Sequence, residues 1–210
     1  MVAINQIGKK RPRPYSDLRF YMARKGEDTY VASYKIRHCV PHPKYDGSLA
    51  SGFDIGVCFY DEYLASKNYN PENYAKRLDR TNDLTHYFAD ASELLEGQEI
   101  EVTGFPGDED KTGYLYTHRG PLIATSETAL GGHVLSYSVD TTPGNSGSPI
   151  FTTDLSIVPL SERAKDQQRV QIGIHNGTDV GSNANYGTLI TPELYDWINT
   201  TVDDYFASRQ

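Results

Sequence analysis

The sequence predicts an all-β protein that is rich in turns and carries one helix at its C-terminal end. Its 16 Tyr residues favour strands, and its 18 Gly and 11 Pro residues favour turns. Short stretches of alternating apolar and polar residues, bounded by turn residues, recur along the chain. With 210 residues, the chain is long enough for one large domain or two small ones.

The first third of the chain predicts strands separated by turns. We expect these strands over residues 18–24, 30–37 and 53–60, which are rich in aromatic and β-branched residues. Residues 61–96 show no strand pattern and predict helical or irregular structure. Within them, Asn70–Asn73 is a helix-start signal with a proline in the first turn. We interpret this region as a surface insertion or a connection between two halves.

The second half of the chain predicts a run of strands that starts near Glu99. The expected strands cover residues 100–103, 134–139, 149–152, 170–175 and 186–190, with a hairpin formed from 113–118 and 122–125. A final helix is expected from Pro192 to about Phe206, because Thr191 is a good cap and proline suits the first turn. Its apolar face carries Leu194, Trp197 and Ile198.

Charge and motif content exclude several classes of function. A formal net charge of -8 argues against nucleic acid as the main partner. No apolar run reaches the length of a transmembrane helix, and no CxxC or HExxH spacing predicts a metal site. With only two cysteines, Cys39 and Cys58, the sequence implies no framework of several disulfides. They either bridge across a hairpin or remain two buried thiols.

The stretch with the most chemical content is Asp140–Ile150, which contains Ser146 between glycines. Glycines on both sides let the backbone turn tightly and leave the serine hydroxyl bare. An acyl-transfer site needs such a hydroxyl, and it needs N–H donors for the oxyanion that forms when a carbonyl is attacked. The expected donors are the N–H groups of Ser146 and Gly144. The alternative is a Gly/Ser/Pro turn between two strands.

Three motifs occur in an order and spacing that resemble the trypsin-like serine proteases, most of all the glutamyl endopeptidase, or V8-like, branch. They are Val102–Asp108, Ser136–Phe151 and Ile172–Gly177. The resemblance is strong from about residue 98 onward and weaker from about 30 to 60. It implies a double six-stranded β-barrel whose first barrel is incomplete at the N-terminus, with a C-terminal helix docked on the second barrel.

The resemblance also implies how the chain is divided and what it does. Residues 1–210 would form one protease domain, with the rest of the N-terminal barrel and the connection in about 1–95. The C-terminal barrel and helix would occupy about 96–210. The implied activity is hydrolysis of peptide bonds through an acyl-enzyme on Ser146, without a cofactor or metal. A secreted monomer is implied, with a polypeptide substrate and with neither nucleic acid nor membrane as a partner.

The carboxylate of the implied catalytic triad matches Asp54. It follows the turn His42–Tyr45 and precedes a strand-like run, as the triad aspartate does in trypsin-like enzymes. It lies 92 residues before Ser146, and the corresponding spacing in the catalytic triad is about 93 residues. The alternative is a polar residue that caps a buried strand.

The histidine of the triad has no counterpart at the expected place. It should lie roughly 45 residues before Asp54, but residues 1–37 contain no histidine. Histidines occur at six other positions: His38, His42, His86, His118, His133 and His175. His38 and His42 lie on the hairpin that leads to Asp54, from which the triad base does not come.

Two explanations for the missing histidine stay open. The chain begins after the segment that carries the base, or it is an inactive homologue that binds peptides or partners and cuts nothing. The first is favoured, because one truncation accounts together for the missing base, the missing first strands and the missing secretion signal. Ser146 and its oxyanion glycine, Gly144, also remain in place.

The resemblance implies a pocket for an acidic side chain at the cleaved residue. Glutamyl endopeptidases hold the substrate carboxylate with a hydroxyl and an imidazole, which match Thr141 and His175 here. Asp140 gives a competing signal, because it lies six residues before Ser146, where trypsin keeps the aspartate that binds Arg or Lys. Acidic preference is favoured, since a histidine at 175 has no role in the trypsin pocket. The backbone of His175, Asn176 and Gly177 would pair with an extended substrate.

Overall fold

The computed structural model describes residues 18–22, 24–26, 30, 32–65, 93–108, 110, 111, 113–157, 168–179, 181 and 184–208. Nine strands and one C-terminal helix account for most of this part of the chain. The strands are β1 Arg19–Met22, β2 Ala32–Pro41, β3 Gly56–Ala65, β4 Glu99–Gly104, β5 Tyr116–Glu127, β6 His133–Tyr137, β7 Pro149–Thr152, β8 Val170–Asp179 and β9 Ala184–Leu189. The helix, α1, is Pro192–Ala207, and a short 3-10 turn covers Leu155–Ile157.

The first three strands form an antiparallel sheet in the order β1-β2-β3. Aromatic side chains pack along it, with the ring centroids of Tyr34 and Tyr60 4.5 Å apart. Cys39 and Cys58 are directly opposite each other on β2 and β3, with Cα atoms 4.1 Å apart, and they form a disulfide. Of the two alternatives that the sequence left open, the bridge is therefore the one present.

The remaining six strands close into a barrel in the order β4-β5-β6-β9-β8-β7. Its interior is filled by aliphatic side chains and one tyrosine that alternate inward along each strand. The largest fully buried members are Tyr137, Ile100, Leu122, Leu135, Ile150, Ile172 and Leu189. The closed six-stranded barrel, the separate sheet and the C-terminal helix confirm the predicted all-β fold class.

The predicted hairpin over residues 113–125 is wrong, because β5 is one continuous strand of 12 residues. Residues Tyr116–Pro121 pair with β4, and Leu122–Glu127 pair with β6. The strand changes partner next to Pro121, whose nitrogen cannot donate to a ladder. The Gly-Pro pair therefore marks a barrel corner and not a chain reversal.

The prediction of helical or irregular structure over residues 61–96 is wrong at the start of that range, whereas residues 93–96 are irregular as predicted. Strand β3 continues to Ala65, so residues 61–65 are strand. Strand pairing with Ala32–Tyr34 of β2 extends the first sheet to this point. The helix-start signal at Asn70–Asn73 lies outside the described residues.

The helix α1 begins as the sequence predicts. The Thr191 side chain accepts a hydrogen bond from Leu194 N at 3.3 Å, and Pro192 occupies the first turn. The face formed by Leu194, Trp197 and Ile198 packs with Phe53, Ile55, Ile174 and Ile190. Near its end, Tyr205 stacks on Phe59 of β3, with ring centroids 3.7 Å apart.

The helix therefore docks on the second barrel, as the resemblance implies. It also covers Phe53 and Ile55, in the segment that carries Asp54, and so it connects the barrel to the first sheet. Within the described residues, no helix is long and apolar enough to cross a membrane.

Candidate active site

Ser146 lies in the loop between β6 and β7 and is exposed. Two backbone turns shape this loop: Asn145 N donates to Thr142 O at 3.1 Å, and Ser148 N donates to Asn145 O at 2.9 Å. Gly144 and Gly147 adopt positive φ angles of 102° and 87°, a conformation that side-chain-bearing residues rarely take. The glycines on each side of the serine are therefore required by the backbone.

The loop is fastened to strand β8. Gly147 N donates to His175 O at 2.8 Å, and His175 N donates to Ser148 O at 2.8 Å. These two bonds place the residues after Ser146 directly beside His175. The structure thus brings together the candidate nucleophile and one of the predicted specificity residues.

The turn Gly104–Gly107 supports the Ser146 loop from the other side. Gly107 N donates to Pro143 O at 2.7 Å. In a trans peptide the C=O and N–H groups point in opposite directions, so the N–H of Gly144 faces away from Gly107. The turn also needs its first glycine, because a Cβ on Gly104 would come within 1.8 Å of Ser148 Oγ.

Within Gly144–Ser148, two N–H groups remain without a partner among the described residues. They belong to Gly144 and Ser146, whereas the N–H groups of Asn145, Gly147 and Ser148 all donate to backbone carbonyls. Unpartnered backbone donors next to an exposed hydroxyl are able to hold an oxygen that becomes negatively charged. The sequence predicts an oxyanion role for these two N–H groups, and that role stays a prediction.

Asp54 lies between β2 and β3 and is only 1% exposed. Its Oδ2 has no hydrogen-bond partner within the described part of the chain. Burial raises the pKa of this carboxyl to about 7, since removal from water penalises the charged form. A buried carboxylate oxygen without a donor is costly, and it is able to accept a hydrogen bond from an incoming group.

The segment that carries Asp54 is attached to the barrel at two points. Asn176, which is fully buried on β8, donates from Nδ2 to Leu49 O at 2.9 Å and to Thr188 Oγ1 at 3.0 Å. Thr128 Oγ1 donates to Ser51 O at 3.2 Å. The first attachment joins this segment to the residue that follows His175.

None of the described histidines hydrogen-bonds to Asp54 or Ser146. His42 is buried between Phe53 and Trp197, with ring centroids 4.5 Å away in each case, and its Nδ1 accepts from Lys44 N. His38 stacks on Phe59 and Tyr205. His86 lies outside the described residues.

His175 is buried on β8, where its Nδ1 lies 2.6 Å from the hydroxyl oxygen of Tyr137. Burial lowers the pKa of this imidazole to about 4 and raises the pKa of Tyr137 well above its usual value. His175 is therefore neutral near pH 7. Its Nε2 makes no hydrogen bond to any described residue.

The predicted substrate-binding residues Thr141 and Asp140 differ in their surroundings. Thr141 is half-buried and donates from Oγ1 to Asn185 Oδ1 at 2.9 Å. Asn185 also accepts from Thr178 Oγ1 at 2.5 Å and donates from Nδ2 to Val139 O. Asp140 is exposed. Thr141 is thus held in a polar network. This network adjoins Tyr137, because Asn185 on β9 pairs directly with Tyr137 on β6.

Asn176 and Gly177 continue β8 beyond His175. The side chain of Asn176 is used entirely in internal hydrogen bonds, so only its backbone is available to an extended ligand. Leu49 contacts the position that a Cβ on Gly177 would occupy, at 3.4 Å. Within the described ranges, no group of three or more His, Cys, Asp or Glu side chains is placed to hold a metal ion.

Sequence reasoning missed three residues of this site: Tyr137, Asn185 and the side chain of Asn176. Tyr137 lies in an alternating stretch, which signals only that it faces inward. Its contact with His175 spans 38 positions along the chain. Nothing in the sequence pairs these two residues.

Comparison with known proteins relates this chain to proteases. A glutamyl endopeptidase of Bacillus licheniformis is 38% identical over 149 residues, which is 70% of this chain and 41% of the relative. A glutamyl endopeptidase of Staphylococcus aureus is 29% identical over 118 residues, which is 56% of this chain and 30% of the relative. The chain therefore spans less than half the length of these curated relatives. No protein-family model matches it.

Two solved structures share the fold. A Glu endopeptidase in complex with MPD has a TM-score of 0.52 at 20% identity, with 80% of this chain and 64% of that chain covered. The thermostable serine protease AL20 from an extremophilic microorganism has a TM-score of 0.52 at 14% identity, with coverage of 87% and 75%. The chain is thus similar in sequence to glutamyl endopeptidases, and it has the fold of the trypsin-like serine proteases.

Proposed function

We propose that this chain is the protease domain of a serine endopeptidase in which Ser146 is the nucleophile. The observation that carries the proposal is the pair of unpartnered N–H groups, on Gly144 and Ser146, beside an exposed serine hydroxyl. Attack of Ser146 Oγ on a peptide carbonyl carbon moves negative charge onto the carbonyl oxygen. Preorganised backbone donors stabilise this charge in the transition state and cost no rearrangement.

The reaction proceeds in two stages. Ser146 Oγ forms a bond to the carbonyl carbon, the C–N bond breaks, and the amine takes a proton and leaves. Water then attacks the acyl-enzyme, the ester bond breaks, and Ser146 regains its proton. Both stages require a base that accepts a proton from the attacking oxygen.

Asp54 supports the position of that base. Its free Oδ2 is able to accept a hydrogen bond from an imidazole N–H, which orients the ring and stabilises the imidazolium during the reaction. None of the described histidines makes this bond. The absence of such a contact favours one second candidate function, that of a peptide-binding homologue without catalysis.

The substrate preference that we propose is for Glu or Asp at the cleaved residue. His175 has a free Nε2 beside the Ser146 loop, and Thr141 offers a hydroxyl in the neighbouring network. The two curated relatives are both glutamyl endopeptidases. A basic preference through Asp140 is the competing possibility, and it requires this exposed carboxylate to face the bound side chain.

A polypeptide is the proposed substrate and partner, and its backbone would pair along His175–Gly177 as an added strand. Neither a metal nor a cofactor takes part in the proposed chemistry. The Cys39–Cys58 disulfide supports a secreted protein, because disulfides persist in oxidising compartments.

The test is labelling with a fluorophosphonate, with and without added imidazole. Ser146→Ala must abolish labelling, and Ser138→Ala, an exposed serine near the start of the same loop, must leave it unchanged. Labelling that needs imidazole supports a serine protease whose base binds at Asp54. Labelling without imidazole assigns the base to a histidine of this chain. A folded chain that is never labelled overturns the proposal in favour of the peptide-binding homologue.

A further inference from the structure

Tyr137 and His175 form a buried polar pair inside the barrel. Tyr137 Oη lies 2.6 Å from His175 Nδ1, and the two residues are 0% and 2% exposed. They reach each other across β9, which lies between β6 and β8 in the barrel. No residue of the pair is used in the chemistry at Ser146, so the hydroxyl of Tyr137 needs another explanation.

The hydroxyl has one hydrogen and two acceptors within reach. His175 Nδ1 is at 2.6 Å, and the backbone oxygen of Tyr186 is at 3.3 Å. The shorter distance is the normal length for a strong hydrogen bond, whereas the longer one is beyond the usual range. The proton of Tyr137 therefore goes to Nδ1, and in a neutral imidazole the ring hydrogen is then on Nε2.

We infer that Tyr137 is a positioning residue for acidic selectivity: its hydroxyl fixes His175 in the tautomer whose Nε2–H donates to a substrate carboxylate. The inference rests on the proposed function and deepens it. The Nε2 atom has no partner among the described residues, and His175 is bonded through its backbone to the Ser146 loop. A carboxylate bound there would complete the hydrogen bonding of the imidazole.

The tautomer decides which side chain the pocket prefers. With the hydrogen on Nε2, the ring donates to a carboxylate, and a hydrogen bond to an ion is stronger than one to a neutral amide. With the hydrogen on Nδ1, the lone pair of Nε2 would face the carboxylate and repel it. That form would accept from the NH₂ group of a glutamine. Loss of the Tyr137 hydroxyl should therefore reduce discrimination between Glu and Gln.

The first test needs neither substrate nor catalysis. The folded chain is labelled with ¹⁵N-histidine, and the ring nitrogens of His175 are assigned with a His175→Gln variant and observed at pH 7. We expect a protonated Nε2 and an unprotonated Nδ1 in the wild type, and a mixture of tautomers in Tyr137→Phe. A protonated Nδ1 in the wild type overturns the inference, even if Tyr137→Phe fails to fold.

The second test measures equilibrium binding of two peptides, acetyl-Ala-Ala-Pro-Glu-amide and its Gln counterpart. We expect tighter binding of the Glu peptide, and about a tenfold loss of this preference in Tyr137→Phe. Tyr116→Phe makes the same chemical change on β5, away from His175, and should keep the full preference. An unchanged Glu-to-Gln ratio in a folded Tyr137→Phe variant overturns the inference.

A double variant, Tyr137→Phe with His175→Gln, shows whether Tyr137 acts by positioning His175 or by stabilising the barrel core in general. If Tyr137 acts through His175, adding Tyr137→Phe to His175→Gln changes the Glu-to-Gln ratio no further. A further fall in the double variant contradicts that route. These readouts are independent of fluorophosphonate labelling. If the wild type is never labelled by the fluorophosphonate, the endopeptidase proposal is overturned. If the wild type is labelled but binds the Glu and Gln peptides equally, only the role of Tyr137 is overturned.

Discussion

Gly107 N donates a hydrogen bond to Pro143 O at 2.7 Å, which links the turn after β4 to the loop that carries Ser146. This bond holds the Pro143 carbonyl on one side of its peptide plane. The Gly144 N–H is consequently held on the opposite side, where it is free to bind an oxyanion. A turn 39 residues before the serine thus sets the orientation of a candidate catalytic donor.

Gly107→Ala tests this relationship. The added Cβ would lie 2.7 Å from Pro143 O, so the turn and the loop must move apart. We expect the rate of fluorophosphonate labelling to fall about tenfold or more, since loss of one oxyanion donor costs about 100-fold to 1000-fold in rate. Lys111→Ala removes a half-buried side chain beyond the same turn, together with its ion pair to Asp108, without adding a Cβ against Pro143 O, and it serves as the control. Equal labelling rates for both variants would refute the orienting role.

A pH-dependent stability is expected from Asp54. Its pKa is about 7 in the folded chain and near 3.8 when unfolded, so the folded state binds more protons between these values. Stability from this group therefore falls as pH rises from about 4 to about 7, with a slope of at most about 1.4 kcal/mol per pH unit. Asp54→Asn should remove this slope and be more stable than the wild type at pH 8.

The measurement is urea unfolding of the wild type and Asp54→Asn at pH 4.5, 6 and 8. The difference in unfolding free energy between the two proteins isolates this group from the other titrating residues. A difference that stays constant across the three pH values would show that Asp54 is ionised throughout. Addition of imidazole at pH 8 should stabilise the wild type alone, because only a carboxylate orients the ring.

The strands could largely be predicted from the sequence, but the path of β5 could not. Gly120-Pro121 has the composition of a turn. In the structure these residues form a corner, where the strand passes from β4 to β6 and a Cβ on Gly120 would lie 1.9 Å from Ser138 O. The composition of Gly120-Pro121 indicates only that the backbone there needs a small residue and a position without an N–H donor. It does not distinguish a reversal from a change of partner.

The candidate site also has one part that the sequence predicts and another part that it does not. The loop of Ser146 could be predicted because its glycines and turns are determined within a few residues, whereas the orientation of its Gly144 N–H depends on the distant Gly107. The contact between Tyr137 and His175, and the network of Thr141 with Asn185, join different strands. Such pairs depend on strand order and register, which a single sequence does not specify.

The Cys39–Cys58 disulfide should contribute strongly to stability. It closes a loop with a sequence separation of 19 that contains Asp54. In the chain-entropy account, a loop of this size stabilises the folded state by about 3 kcal/mol. Urea unfolding of the Cys39→Ser/Cys58→Ser variant should show a loss near this value. Reduced wild type should match the variant, and a reductant should not affect the variant. An unchanged wild-type midpoint in reductant would contradict the prediction.

Asn176→Asp should loosen the attachment between β8 and the segment of Asp54. The wild-type amide donates two hydrogen bonds, to Leu49 O and Thr188 Oγ1, from a fully buried position. A carboxylate would place negative charge against Leu49 O and leave that acceptor unsatisfied. We expect a loss of about 2–4 kcal/mol in unfolding free energy at pH 8. Protonation of the new carboxyl should recover part of this loss at pH 5.

The matched control is Asn199→Asp, which makes the same substitution at an exposed position on α1. It should change the unfolding free energy by less than about 0.5 kcal/mol. Hydrogen exchange of the backbone amides from residue 49 to 55 gives a second readout, because this segment should exchange faster in Asn176→Asp. Protection that stays at the wild-type level in a destabilised variant would show that Asn176 supports the barrel without holding the segment of Asp54.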